Sequence, residues 1–291
     1  MKARRMRETA IRLFFGLCGL FVVFVLIAII WLLFGSSIPF FRELGWLRVV
    51  ADPRWNPGAY GEPQYGIRTL MVGTLMVTVG SLLLAVPLGL ACAAYLSEVA
   101  SSREREILKP FVEILAGIPS VVVGFFGLVV LNPFIARIFG LGNGLNALNG
   151  SILLAVMAVP TIVSLSEDAL QAVPREFREA SYALGANRWQ TLWRVTVPAA
   201  RSGILASCML GMGRAIGETM TVLMVTGNVR AMPGSFLDPV MTLTATIAIE
   251  MGEVAFNTLH YHGLFVVGLV LFSMTFLINV ASDILNHGRR W

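Results

Sequence analysis

Lysine is almost missing from this chain. Lys2 and Lys109 are the only two, and neither follows a GxxxxG loop, so there is no P-loop to cradle a nucleotide's phosphates. Histidine is nearly as scarce: there are three, none in a suggestive frame with a serine or cysteine, which leaves no case for a hydrolase. Cys18, Cys92 and Cys208 all lie in apolar runs and suggest no disulfide framework. Charge is short as well. Charged residues make up 13% of the chain against 56% hydrophobic, which exceeds what a soluble core needs and marks a polytopic membrane protein. The net charge of +5 informs through its placement rather than as a signal for nucleic acid.

Residues 1–12 carry Lys2, Arg4, Arg5, Arg7 and Arg12 ahead of an apolar run over 13–34. A secretory signal has a shorter core and a small-residue cleavage site, so the run predicts a retained membrane helix. Further runs over 67–97, 110–136, 150–170, 203–228 and 263–285 bring the expectation to six spans. With both termini on one side, fifteen basic residues fall there and six opposite (Arg42, Arg48, Arg54, Arg68, Arg137 and Arg230), which places both termini in the cytoplasm. The expected organisation is a cytoplasmic tail at 1–12, a first helix and external loop at 13–66, a core at 67–285 and a tail at 286–291 that reads as an interfacial anchor. In the external loop Trp46, Trp55, Tyr60 and Tyr65 are expected at the membrane interface. A second external segment, 229–262, contains a mildly amphipathic stretch over 241–256 expected at or dipping into the outer surface. Glu250, Glu253, His260 and His262 supply no firm tetrahedral set, so no metal site is expected.

Span two contains Pro87 and Gly89, and span three opens with Leu115-Ala116-Gly117-Ile118-Pro119-Ser120. Such breaks are tolerated where neighbouring helices cover the freed backbone. Gly124 and Gly127 predict close helix contact or a pore-lining backbone; the Ser120 hydroxyl serves either its own helix or an anion. Span five carries Gly213-Arg214-Ala215-Ile216-Gly217-Glu218-Thr219-Met220-Thr221. Charges at mid-membrane cost about 2.5–3.5 kcal/mol each on insertion scales and must face protein or water. Read as one helix, the stretch puts Arg214, Glu218 and Thr221 on one face, beside a GxxxG pair that lets another helix approach. A guanidinium matches oxyanion geometry and stays charged. Two readings stay open: a path residue held by Glu218 when empty, or a static buried pair fixing helix register.

The one long polar stretch inside this apolar chain is Pro174–Pro198. Pro174 suits a helix start, Gly185 an end, and Asn187 the cap of a second short helix carrying Trp189, Leu192 and Trp193. Glu179-Ala180-Ser181, three residues, Gly185, nine residues, Val195, one residue, Val197-Pro198 resembles the EAA loop of binding-protein-dependent ABC importer permeases. Ser181 and the two valines depart from that pattern by small changes. The resemblance implies an all-α integral membrane protein of the MetI-like, type I importer fold. It also implies that Glu179, Ala180, Ser181, Gly185 and Pro198 belong to the element that docks in the ATPase subunit.

Within that superfamily, the run Gly211–Met220, the run Leu115–Phe126 and Trp55-Asn56-Pro57 are similar to phosphate-importer permeases of the PstC type. That likeness implies a substrate path at Arg214, Glu218, Thr221 and Ser120, in a multi-pass chain of the bacterial plasma membrane. It further implies a second permease chain (PstA-type), an ATPase dimer (PstB-type) that binds ATP and Mg, and an external phosphate-binding protein (PstS-type). This chain is expected to hold no cofactor. The alternatives are a molybdate or sulfate importer, or the PstA-type partner itself.

Overall fold

The computed structural model describes residues 2–59 and 61–287. Tyr60 and the terminal residues 288–291, including most of the expected interfacial anchor, lie outside them. The chain is helical almost throughout. In order it forms α1 (Lys2–Leu44), α2 (Trp46–Ala51), a small antiparallel hairpin of β1 (Trp55–Asn56) and β2 (Gln64–Tyr65), and α3 (Arg68–Ala94), which ends in a π-helical turn at Tyr95–Val99. There follow α4 (Ser102–Gly117), α5 (Ser120–Phe126), a second π turn, α6 (Asn132–Phe139) and α7 (Ala147–Gln171). The polar stretch forms α8 (Arg175–Ala183) and α9 (Arg188–Thr191), which runs through a third π turn into α10 (Val197–Ala199). Last come α11 (Arg201–Gly217), α12 (Met220–Val225), α13 (Leu243–Glu250) and α14 (Leu259–His287). Among the described residues five helices are long and apolar enough to cross a membrane. They are six if Arg188–Ala199 and Arg201–Gly217, bent by 73°, count as one span.

The central layer is α3 on α7, with α11 against α7 and α1 along α14. Pro87 does not break α3, which runs unbroken from Arg68 to Ala94. The long apolar face of α1 is exposed over its whole most hydrophobic window, as befits a lipid-facing helix. Only near its C-terminal end does it enter the core, where Phe40 is fully buried.

Two expectations about the segments 35–66 and 229–262 are corrected. Trp55 is not an interfacial ring: it is 1% exposed and packs with Phe40, Ile67, Leu70, Leu243 and Leu264. Its indole Nε1 donates to the Glu250 carboxylate at 3.0 and 3.1 Å, which removes the need for water that draws tryptophan to interfaces. Tyr65 sits edge-on to Phe40 and Trp55 in the same cap, while Trp46 stays exposed. Nor is 241–256 a surface helix. Thr242 caps α13, and Leu243, Thr244, Ala245, Thr246 and Glu250 are all buried, so the segment re-enters the core between α3, α12 and α14. The loop before it is closed by Asp238, which accepts from the backbone N–H groups of Gly234 and Ser235 at 2.8 and 2.9 Å. Those two bonds hold its carboxyl below the usual carboxylate range.

Candidate functional site

Two helix breaks bring α5 and α12 together. In the first, Ile118 precedes Pro119, a position that disfavours helical geometry, and is extended at φ −66°, ψ 127°; α4 ends at Gly117 and α5 restarts at Ser120. In the second, α11 ends at Gly217 and Glu218 is extended at φ −68°, ψ 126°, before α12 begins at Met220. The two restarts pack on each other. Gly124 is needed there because an added Cβ would come within 3.2 Å of the Thr221 Cα, and Gly127 likewise faces Leu153 and Val225. The expected close contact at both glycines is present. Gly213 and Gly217 differ: among the described residues nothing lies within 4 Å of a Cβ at either, so their face is open.

Three of the four expected path residues converge on these breaks. Thr221 Oγ1 donates to the Ser120 carbonyl at 3.0 Å and lies 3.4 Å from Glu218 Oε1. Glu218 is fixed at both ends, its Oε1 facing the Thr221 N–H at 3.5 Å and its carbonyl accepting from Thr244 Oγ1 at 3.1 Å. Glu218 also lines a cavity of about 10 Å³, on the scale of one water, whose walls are part threonine (Thr74, Thr78, Thr242, Thr244) and part apolar.

Arg214 does not pair with Glu218, and the expected resting ion pair is absent. The i, i+4 relation holds only in a continuous helix, and the break at Glu218 turns the carboxylate toward α12. Arg214 instead faces α4 and α7. Nη1 donates to Thr161 Oγ1 at 3.4 Å and Nη2 to the Ala116 carbonyl at 3.5 Å, both long bonds. Among the described residues no carboxylate forms an ion pair with it. The result is a half-buried guanidinium, loosely held and uncompensated, beside a double break in the helices.

At the end of the molecule where α7 terminates, the polar stretch forms the expected helical hairpin. Gly185 makes the turn at φ +84°, a left-handed conformation that favours glycine. Asn187 and Gln190 form a reciprocal capping box with two 2.9 Å bonds. Ser181, the departure from the family pattern, puts its hydroxyl 2.9 Å from that of Thr191 and so ties α8 to α9. Glu179, Ala180 and Pro198 are exposed, as are Phe177, Leu184, Trp189 and Trp193, an apolar surface unusual for a solvated hairpin.

Ion pairs that sequence reasoning missed join this hairpin to the spans. Arg178 of α8 pairs with Glu98 in the π turn after α3 at 2.8 Å and donates to the Leu170 and Val173 carbonyls at the end of α7. Arg105 donates to the Leu96 and Ser97 carbonyls of the same π turn. Glu167, fully buried, takes Lys109 at 2.7 Å and Arg105 at 3.4 Å. Beside β1, Glu250 is shared by Trp55, Arg230 at 2.8 Å and His260 at 2.7 Å. Arg230 already occupies that carboxylate as its cation, which leaves it poorly suited to a metal.

Residues 85–291 match the family described as the binding-protein-dependent transport system inner membrane component. The chain belongs to that family. As a whole the permease is 39% identical over 289 residues to the probable ABC transporter permease protein YqgH of Bacillus subtilis (strain 168), covering 99% of this chain and 93% of that one. It is 36% identical over 243 residues to the phosphate transport system permease protein PstC of Mesorhizobium japonicum, covering 77% and 73%. Among solved structures it is similar to the MetNI methionine ABC transporter in inward-facing conformations, with TM-score 0.57, 22% identity, and 77% and 94% of the two chains covered. It is also similar to a bacterial alginate ABC transporter in complex with a pentasaccharide-bound periplasmic protein, with TM-score 0.59, 18% identity and 94% of each chain covered. The permease thus has the all-helical, MetI-like fold of ABC importer membrane subunits, which work with a separate ATPase and an external binding protein.

Proposed function

We propose that this permease passes inorganic phosphate from an external binding protein to the cytoplasm, as the PstC-type half of a heterodimeric pore. The observation that carries the reading is the uncompensated Arg214 guanidinium beside the double helix break. Its two bonds to the protein are long, so an oxyanion gains strong, charge-assisted, forked hydrogen bonds there and displaces little. The curated relatives named PstC support phosphate as the oxyanion.

In this account Ser120, Glu218 and Thr221 shape the break, and Glu218 repels an anion from the threonine-lined side toward Arg214. The partners are a PstA-type second permease chain, a PstB-type ATPase dimer and a PstS-type phosphate-binding protein. ATP and Mg belong to the ATPase, and this chain holds no cofactor. Both termini and the α8–α9 hairpin face the cytoplasm. There Glu179, Ala180, Ser181, Gly185 and Pro198 form the docking unit, whose motion Arg178 passes to the ends of α3 and α7.

A guanidinium alone does not separate phosphate from sulfate or molybdate. The test is ATP hydrolysis by the assembled complex with its binding protein, stimulated in turn by the three anions. Stimulation by phosphate alone is expected. Stimulation by molybdate or sulfate with silence toward phosphate overturns the substrate assignment.

A further inference from the structure

The β1–β2 hairpin and the loop after α12 enclose a cavity of about 550 Å³ that does not include Arg214. Arg54, Asn56, Gln64 and Thr69 line it together with Arg230 and Met232. Two arginines therefore face one space, and no carboxylate is among its lining residues. Asp52 and Glu62 line a separate cavity of about 410 Å³.

The two cations are held differently. Arg230 Nη2 rests on Glu250 at 2.8 Å, a carboxylate that also takes the Trp55 indole and His260. Its Nη1 has only a 3.5 Å contact with Asn56 Oδ1, and the side chain is 40% exposed. Arg54 is freer still. Its backbone N–H donates to Asp52 Oδ1, but among the described residues its guanidinium has no hydrogen bond or ion pair. The Asn56 and Gln64 amide nitrogens are likewise unbonded among the described residues. Glu250 thus offsets one of the two positive charges, and a latch between Arg230 and Glu250 gives Arg54 nothing to do. An anion between the guanidinium groups removes their mutual repulsion and gains forked, charge-assisted bonds.

α13 connects this cavity to the helix breaks. Thr244 in its first turn donates to the Glu218 carbonyl, and Glu250, six residues or about 9 Å of helix later, holds Arg230.

We infer that Arg54 and Arg230 form a loading site for a free tetrahedral oxyanion, on the external side of the breaks and ahead of Arg214. The inference rests on the reading of this chain as a phosphate permease. A cavity of about 550 Å³, against the roughly 30 Å³ of one water, admits the anion with much of its hydration, so the site binds weakly and exchanges fast.

Thiol protection in the assembled transporter tests it. Met232 lines the cavity and is 42% exposed, so Met232→Cys, with Cys18, Cys92 and Cys208 replaced by alanine, puts a reactive thiol on the wall. A neutral thiosulfonate reagent is added while inorganic phosphate is titrated at constant ionic strength, without binding protein. Half-protection is expected at phosphate on the order of 1 mM, and Arg54→Gln should raise that concentration about tenfold through loss of a charge-assisted contact. Arg54→Lys, which keeps the charge without the fork, should fall between. Labelling that phosphate does not slow, or protection that Arg54→Gln leaves unchanged, overturns the site. Protection given by the binding protein alone, and never by phosphate, also overturns it and makes the cavity a socket for that protein's acidic side chains. Labelling needs no transport, so the two readings fail separately. Arg54-dependent protection in a transporter whose ATP hydrolysis ignores phosphate keeps the site and removes the phosphate permease; phosphate-stimulated hydrolysis without protection does the reverse.

Discussion

At the scale of single residues, the buried charges were visible in the sequence but their partners were not. Arg214 and Glu218 stand out in an apolar run, and the cost of such charges makes them candidates for a path role or a register-fixing pair before any partner is known. Their pairing was misread because it assumed an unbroken helix, and Gly217-Glu218-Thr219 contains no proline to announce the break. Trp55 was misplaced for a different reason. Its carboxylate partner, Glu250, lies 195 positions away, and no local pattern links them. That pairing makes a direct prediction. Glu250→Ala leaves the buried indole N–H and part of Arg230 unsatisfied, which costs about 1–3 kcal/mol and lowers the melting temperature of the assembled complex. Glu250→Gln, which keeps an acceptor, should cost less; equal losses in the two variants would show that the hydrogen bonds contribute nothing. Ser181→Ala removes the hydroxyl that ties α8 to α9, with a smaller expected cost of about 1 kcal/mol by the same measurement.

At the scale of elements, the α8–α9 hairpin was the most legible part of the chain. Gly185 supplies the left-handed turn, Asn187 the cap, and both are local requirements with few substitutes. The break at Pro119 was legible for the same reason, whereas Pro87 shows the limit of that inference, since α3 absorbs it without interruption. The re-entry of α13 was not legible. Its apolar residues read as a surface helix until the core packed around it is known. Two predictions belong here. Pro119→Ala lets Ile118 return to helical geometry, so α4 and α5 can straighten and draw Ser120 away from Thr221. Transport should fall at least about tenfold with assembly intact; unchanged transport would mean that the break is incidental. Arg178→Gln cuts the tie between α8 and the ends of α3 and α7. ATP hydrolysis should then continue in an assembled complex without stimulation by loaded binding protein, and a normally stimulated variant would exclude Arg178 as the link.

At the scale of the whole molecule, composition and hydropathy account for the membrane architecture, and the comparisons establish the family. What single-sequence patterning left out is how the helices are layered: α1 at the periphery, α3 and α7 at the centre, and α5 and α12, each following a helix break, packed on each other. In the proposed function that meeting point supplies the chemistry, because it frees backbone and lies beside a loosely held cation that an oxyanion would meet in an otherwise apolar molecule. The open face at Gly213 and Gly217 lies beside it, where the second permease chain of the proposed heterodimer would complete the path. The most direct measurement is phosphate uptake by cells carrying Arg214→Gln, with membrane level and ATPase co-purification followed in parallel. The account predicts uptake reduced by about two orders of magnitude or more, as expected when a desolvated charge contact on the path is lost, in a complex that still assembles. Uptake at the parental rate from a fully assembled complex would contradict it.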